Sequence, residues 1–589
     1  MAGSASDGLL AGLTAPQRSA VTSEAGVLCV VAGAGSGKTT VLTRRIAWRV
    51  AAGTASADHV LVVTFARKAA SELRDRLARL GAAGVWAGTF HAAAFSQLRR
   101  HWADTGRHPP AVVADPQRIL RALVDEPAAV GTLASELVWA GARMLRPADY
   151  PSAARAARRR PGLPLEQVAD VLGRYQDEKR RRGIIDLDDL VADCARLLED
   201  GGPPADALRW RFRHLFVDEF QDVNPAQWRL LSAWHADRRD LCVVGDPRQA
   251  IYAWNGSDPS LLGRLPSLLP GSEIVRLDEN HRSSPLIVAA AAAVLDGASE
   301  EEPDPLVAGD APVATGAVDG PLPTVEGFAD EHAEAVAVAR WLRGVHRPGQ
   351  PWRHHAVLAR TNARLEPMAD ALRLAGIPFR YAGRRDDGGP LPTVLRTLRS
   401  LDRRSPLRAA VVDALADRPD ISSDAGAAPE EVGDAAELLA RLADEYASEE
   451  PGPTVGGFLG WLAVNPGATE LPGSRADAVE LSTFHRAKGL EWPTVAVVGL
   501  EDGTVPIVYA ADPAARAEER RLFYVALTRA ERELWCSWAA RTGGDAGDER
   551  APSPFLDAVR RAGASTAPPS PDVALRRIAE MRRRLPIAG

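Results

Sequence analysis

Residues 27–40, VLCVVAGAGSGKTT, restrict the possible folds of this chain more than any other stretch. An apolar, β-branched run, Val27–Ala32, passes into a glycine-rich turn and then into a helical pattern. Glycines let consecutive backbone N–H groups converge on phosphate oxygens, and the N-terminus of the following helix adds a positive dipole. Ala34, Gly35, Ser36, Gly37 and Thr40 are therefore candidate phosphate contacts. Lys38 is expected to reach the β- and γ-phosphates and the Thr39 hydroxyl to bind Mg²⁺. Ala32 stands where the strict GxxxxGK[ST] pattern has its first glycine. By itself the loop marks a nucleoside triphosphatase and nothing finer.

The surrounding pattern predicts an α/β protein. Val60–Thr64, Leu215–Val217 and Leu241–Val244 are further short apolar runs, each followed by a helical stretch or an acidic or glycine-rich loop. That βα rhythm belongs to a parallel sheet covered by helices. Ala356–Ala359 and Val495–Val498 start the same rhythm again in the second half. Two stretches lack such strands and read as mainly helical insertions, 96–190 and 384–474. The expected organisation is a first sheet lobe over 1–95 and 191–280 and a second over 281–383 and 475–560. A Pro/Ala/Ser linker and basic tail are expected over 561–589.

Composition excludes some classes. The four cysteines, Cys29, Cys194, Cys242 and Cys536, form no CxxC pair, which predicts buried, reduced thiols and a cytoplasmic setting. No basic region precedes an apolar core at the start, so no signal peptide is expected. The longest apolar run, Leu286–Leu295, is too short to cross a bilayer. Net charge is −6, yet arginines cluster at 155–160, 180–182 and 582–584 while acids gather at 299–305 and 424–450. A basic groove on an acidic body and plain solvated helix faces fit this equally. Of 71 basic residues only four are lysines: Lys38, Lys68, Lys179 and Lys488. A compact ammonium does what a guanidinium cannot at Lys38, whereas Lys179 is open between a specific job and a chance survivor of arginine bias.

A second apolar strand, Leu215–Val217, ends in Asp218 and Glu219. With a phosphate loop upstream, Asp218 is placed to hold Mg²⁺ and Glu219 to take a proton from an attacking water. The alternative for such a pair is to cap the following helix.

From here the residues resemble a known family. VDEFQDVNPAQ (217–227), GDPRQAIYAW (245–254), TFHRAKGLE (483–491) and RRLFYVALTRA (520–530) are similar to motifs of the UvrD/Rep/PcrA helicases of superfamily 1. The matches run in family order from Gln17 to Arg529. The resemblance implies two RecA-like lobes, each with a mainly helical insertion. It implies that Gln17 reads the adenine edge, Gln249 senses the γ-phosphate and Glu491 contacts the ribose. Arg282 and Arg529 would be arginine fingers from the second lobe, stabilising charge on the transferred phosphoryl group. Phe65, Tyr252 and Trp254 match positions that stack on single-stranded bases, and Thr64, Thr89, His91, Thr483 and His485 match positions near the strand's backbone. A base–aromatic stack, worth about 1–3 kcal/mol, compares with about 1.4 kcal/mol per duplex step, so such a pocket can hold a frayed base.

Three positions depart from the family. His281 replaces the usual tyrosine on adenine, Thr40 a common arginine, and Asn255 the arginine after the tryptophan. The second insertion is also shorter than in well-known members. The implied protein is an ATP- and Mg²⁺-dependent 3′→5′ DNA helicase. Its partners would be single-stranded DNA, single/double-strand junctions and repair proteins. Alternatives are a translocase that strips proteins from single strands, the motor of a helicase–nuclease complex, and a non-catalytic scaffold. Retention of Lys38, Thr39, Asp218, Glu219, Gln249, Arg282 and Arg529 counts against the last.

Overall fold

The computed structural model describes residues 7–236, 238, 240–296, 313–314, 320–382, 390–416, 429–450, 452–465, 477–542 and 549–566. The acidic stretch 299–305 and the arginines at 582–584 lie outside the described residues. Two compact units emerge. One comprises 1–33, 37–277 and 383–476; the other comprises 34–36, 278–382 and 477–589.

The first unit is built on a six-stranded parallel sheet. Its strands are β1 (Val27–Ala32), β2 (Val60–Thr64), β3 (Trp86–Thr89), β6 (His214–Val217), β7 (Leu241–Gly245) and β8 (Glu273–Leu277). Between β3 and β6 lie two short strands, β4 (Ala111–Val113) and β5 (Ile184–Asp186), which pair with each other in parallel. The main sheet runs β3-β2-β6-β7-β1-β8. Alternation along β1 sends Leu28, Val30 and Ala32 into one apolar core and Val27 and Cys29 into the core on the opposite face. Both faces are thus covered by helices, as a parallel sheet requires. Strand register sets the site. Val31 pairs with Gly245 and Val217 with Val243, so the glycine loop and the acidic ends of β6 and β7 leave the sheet at the same edge.

Residues 96–190 carry their own core around Leu133, Trp139, Tyr150 and Tyr175. The sequence pattern predicts no strand there. The β4–β5 pair corrects this: three residues per strand is too short for a period-2 signal to stand out.

The second unit is built on a parallel six-stranded sheet. After a short pair, β9 (Glu279–Asn280) and β10 (Val313–Ala314), come β11 (Thr324–Phe328), β12 (His355–Ala359), β13 (Phe379–Tyr381), β14 (Val479–Thr483), β15 (Trp492–Val498) and β16 (Ala530–Ala539). The order is β11-β16-β15-β12-β14-β13. All four cysteines are buried and unbridged; burial pushes Cys29 up to about 12 and Cys242 to about 11.

The segment between β13 and β14 interrupts the second sheet in sequence but packs with the first unit. Its helices are Pro390–Ser400, Leu407–Ala416, Pro429–Glu449 and Val455–Val464. Leu439, Leu442 and Tyr446, spaced by three and four along one helix face, join Phe458 and Trp461 in the same core as Phe95, Leu98 and Leu190. Gly460 lies against Phe95: a Cβ there would meet the ring at 2.7 Å. At the far end, helix Leu556–Thr566 continues through 561–566, where composition predicts linker; alanines in RAGAST extend the helix. The rest of the expected tail lies outside the described residues.

Candidate functional site

In the first unit the glycine loop ends at Gly37, whose φ of 84° is left-handed backbone that favours glycine. It caps helix Lys38–Ala51, and no side chain caps that N-terminus. The first-turn N–H groups are thus oriented as an anion site. Thr39 and Thr40 sit half-buried in this first turn. The Lys38 ammonium lies 3.9 Å from Glu219 Oε1 and 4.0 Å from Asp246 Oδ2. Its Nζ is buried and makes no hydrogen bond among the described residues.

The carboxylates opposite are interlocked. Asp218 directly follows β6, almost fully buried, and its Oδ1 accepts from Glu219 N at 3.0 Å. Glu219 holds φ 54°, a left-handed conformation costly for a residue with a side chain and a recurrent mark of functional sites. The Gln221 amide bridges β6 to β7: its Nε2 donates to Glu219 and its Oε1 accepts from Asp246 N at 2.8 Å. Gln249 Nε2 donates to Asp246 Oδ2 at 2.6 Å. Asp246 and Gln221 are not among the residues expected from sequence, although an acid after the apolar run 241–244 is the same signal that identifies Asp218.

Gln17 forms a capping box with Thr14, and its Oε1 accepts from Thr14 N at 3.1 Å. Its Nε2 faces Gly37, 2.9 Å from where a Cβ would stand.

In the second unit Asn280, also missed from sequence, gathers the loop tip. Its Nδ2 donates to Ala34 O at 2.8 Å, and its Oδ1 accepts from the N–H groups of Arg282 and Ser283 at 2.9 Å each. His281 N donates to Gly35 O at 2.9 Å. Ser36, which follows these contacts in the loop, is buried. Arg282 donates to Glu491 Oε2 at 2.8 Å and to Thr528 O at 2.6 Å, while its buried Nε has no partner among the described residues. Arg529 is buried and donates to Val525 O at 2.9 Å and Leu490 O at 3.0 Å. The structure therefore brings Arg282, Glu491 and Arg529 into one patch.

The residues matched to DNA contacts form separate groups. Thr64 pairs in register with Thr89 across β2 and β3, which puts Phe65 and His91 at the same sheet edge. Thr89 caps helix Phe90–Asp104, accepting from Ala92 N at 3.1 Å. The Phe65 ring meets Phe90 edge-on at 6.0 Å. Tyr252 and Trp254 lie on the loop after β7, Tyr252 half-buried and Trp254 49% exposed. Thr483 ends β14 in the second unit, and His485 follows two residues later. Burial lowers both His91 and His485 to about 4, so both rings are neutral near pH 7.

Among the described residues no group of three or more His, Cys, Asp or Glu could hold a metal ion. Thr39 and Asp218 suit Mg²⁺, which takes few protein ligands and completes its shell with phosphate and water.

Residues 13–268 match the UvrD/REP helicase N-terminal domain, and residues 275–386 and 438–541 match the UvrD-like helicase C-terminal domain. The ATP-dependent DNA helicase UvrD2 of Mycobacterium tuberculosis is 37% identical, over 94% of this chain and 82% of its own. The chain belongs to the UvrD/Rep helicase family. DNA helicase II of Escherichia coli is 29% identical over 90% of this chain and 85% of its own. UvrD1 of Mycobacterium bovis is 30% identical over 91% and 83%. The two parallel sheets agree with the RecA-like lobes of this helicase family. No described helix is long and apolar enough to cross a membrane.

Proposed function

We propose that this UvrD-like helicase hydrolyses ATP to move 3′→5′ on single-stranded DNA and to unwind duplex at junctions, in DNA repair or recombination. Lys38 and the loop N–H groups hold the β- and γ-phosphates, with Gln17 at the adenine and Glu491 at the ribose. Thr39 and Asp218 would hold Mg²⁺, which when bound neutralises charge on the β- and γ-oxygens. Glu219 accepts the proton of the attacking water as its oxygen bonds to the γ-phosphorus. The bond to the β-bridging oxygen breaks, and ADP and phosphate leave. Gln249 senses the γ-phosphate; Arg282 and Arg529 stabilise the charge of the transferred group. Trp254, Tyr252 and Phe65 grip bases, and Thr64, Thr89, His91, Thr483 and His485 follow the backbone.

One observation carries this reading: Lys38 Nζ is buried beside two carboxylates yet lacks a hydrogen bond among the described residues, which leaves its donors for a phosphate. The test is phosphate release with and without oligothymidylate. Single strands are expected to raise turnover sharply. Lys38→Ala is expected to cut it by about 10²–10³-fold, the scale for one lost transition-state donor. Equal turnover in both conditions would defeat the coupling. Strand release from 3′-tailed but not 5′-tailed duplex is the expected polarity. ATP turnover on the 3′-tailed duplex with no strand release would leave the protein-stripping translocase instead.

A further inference from the structure

The first unit contains a small hollow, partly open to solvent, at the outer edge of its sheet. Edge strand β3, helices Arg67–Arg79 and Phe90–Asp104, and the two last helices of the 383–476 segment surround it. Arg67, Arg74 and Arg99 line it together with Trp86, Phe95 and Trp461.

The guanidiniums converge on acids from the 383–476 segment. Arg67 Nη2 lies 2.6 Å from Glu445 Oε2, and Arg74 Nη2 lies 3.0 Å from Glu445 Oε1, so each oxygen of one carboxylate takes one arginine. Arg74 is anchored by a second bond, to Ala87 O at 3.0 Å. Arg99 pairs with Glu450 and donates to Tyr446 Oη at 2.5 Å, while its buried Nε finds no acceptor among the described residues. The Arg67 guanidinium also lies over the Trp461 ring, 5.2 Å from its centre.

An oxyanion forked between two guanidiniums beside indole faces is the chemistry that binds a nucleic-acid phosphate and its base. Arg67 follows Phe65 by two residues, and the pocket wall Trp86–Gly88 runs directly into Thr89. The pocket therefore continues the sheet edge that carries Thr64, Phe65, Thr89 and His91.

We propose that Arg67, Arg74 and Arg99 form a phosphate-binding site for single-stranded DNA at the outer edge of the first sheet, and that Glu445 and Glu450 occupy it as counter-charges which the strand displaces. The proposal rests on the functional reading above, which puts the strand along Phe65 and Thr89. The side chains of the Glu445 pairs are each 20–34% exposed, so solvent reaches them and a strand phosphate can take the carboxylate's place between the same guanidiniums.

The experiment measures fluorescence anisotropy of labelled oligothymidylates of about 8 and about 24 nucleotides across a salt series, lengths bracketing one binding track. Glu445→Gln is expected to tighten the longer strand several-fold. Its log–log salt slope should steepen by about 0.7 for each phosphate newly engaged. Adding Arg74→Ala to Glu445→Gln should return both to the wild-type values. Glu199→Gln, which frees Arg229 elsewhere on the unit, controls for bulk charge and should change neither. Circular dichroism checks that each variant is folded. If wild type binds both strands but Glu445→Gln neither tightens nor steepens, the site is refuted. The same holds if Glu199→Gln reproduces the effect. If wild type binds no oligothymidylate, the functional reading falls, and this site with it.

Discussion

Glu334 is a carboxyl sealed inside the second unit. It is 1% exposed, accepting from Ser537 Oγ at 2.6 Å and Gly499 N at 3.0 Å. Burial raises it from 4.5 to about 7; the two hydrogen bonds lower it in part, and Glu501 adds repulsion. Between pH 4.5 and about 7 the folded chain keeps a proton that the unfolded chain has released. Stability must therefore fall as pH rises through that window, by an amount on the order of 3 kcal/mol once both states are ionised. Glu334→Gln keeps the acceptor oxygen and removes the ionisation. Urea denaturation should show a flatter pH profile for the variant, and greater stability than wild type at pH 8. A profile unchanged from wild type would mean the carboxyl does not titrate there. Residues of this kind are illegible in sequence, since nothing about Glu334 in EHAEAVAVA marks it as buried among partners 165 and 203 positions away. Lys38, Asp218 and Glu219 are legible for the opposite reason: their chemistry is declared by the local strand–loop pattern. Asp246, Gln221 and Asn280 fall between, because their contacts depend on which strand ends the folded sheets bring together.

At the level of elements, Lys179 shows what the rare lysine does. It closes helix Leu165–Arg182 onto the start of helix Leu187–Glu199, donating to Asp186 at 2.5 Å and Asp189 at 2.6 Å. Asp186 also forms a capping box with Asp189, so the ammonium neutralises two acids that already hold a helix N-terminus. Lys179 thus has a structural job and is no chance survivor. Lys179→Met would strand the buried Asp186 carboxylate and is expected to cost about 3–5 kcal/mol in urea denaturation, the usual penalty for breaking a buried ion pair from one side. Since the pair lies outside the nucleotide loop, nucleotide affinity should hold at temperatures where the variant is folded. A loss below about 1 kcal/mol would class the pair with solvent-screened ones. The same region shows the limit of periodicity: helices there are readable over whole turns, whereas β4 and β5 are too brief to register.

Across the whole molecule, sequence order and spatial order part company at residues 383–476. Hydrophobic patterning identifies helices there, but no local signal can say which sheet they join, since Trp461 meets a core many of whose residues lie hundreds of positions earlier. The docking depends on a close approach that only glycine permits. At Gly460 a Cβ would stand 2.7 Å and 3.0 Å from two atoms of the Phe95 ring, which is itself buried and cannot swing aside. Gly460→Val must therefore push helix Val455–Val464 away from helix Phe90–Asp104, at a cost of about 1–3 kcal/mol for an overpacked contact. Hydrogen exchange should locate the effect. Amides of helices Pro429–Glu449 and Val455–Val464 are expected to lose protection, while those of β1, β6 and β7 keep theirs. The Glu445 and Glu450 pairs sit on the same seam, so the displaced segment should also expose Arg67, Arg74 and Arg99 without any change of charge. Uniform loss of protection across the first sheet would instead mean that the segment and the sheet unfold as one body, and that the seam cannot open by itself.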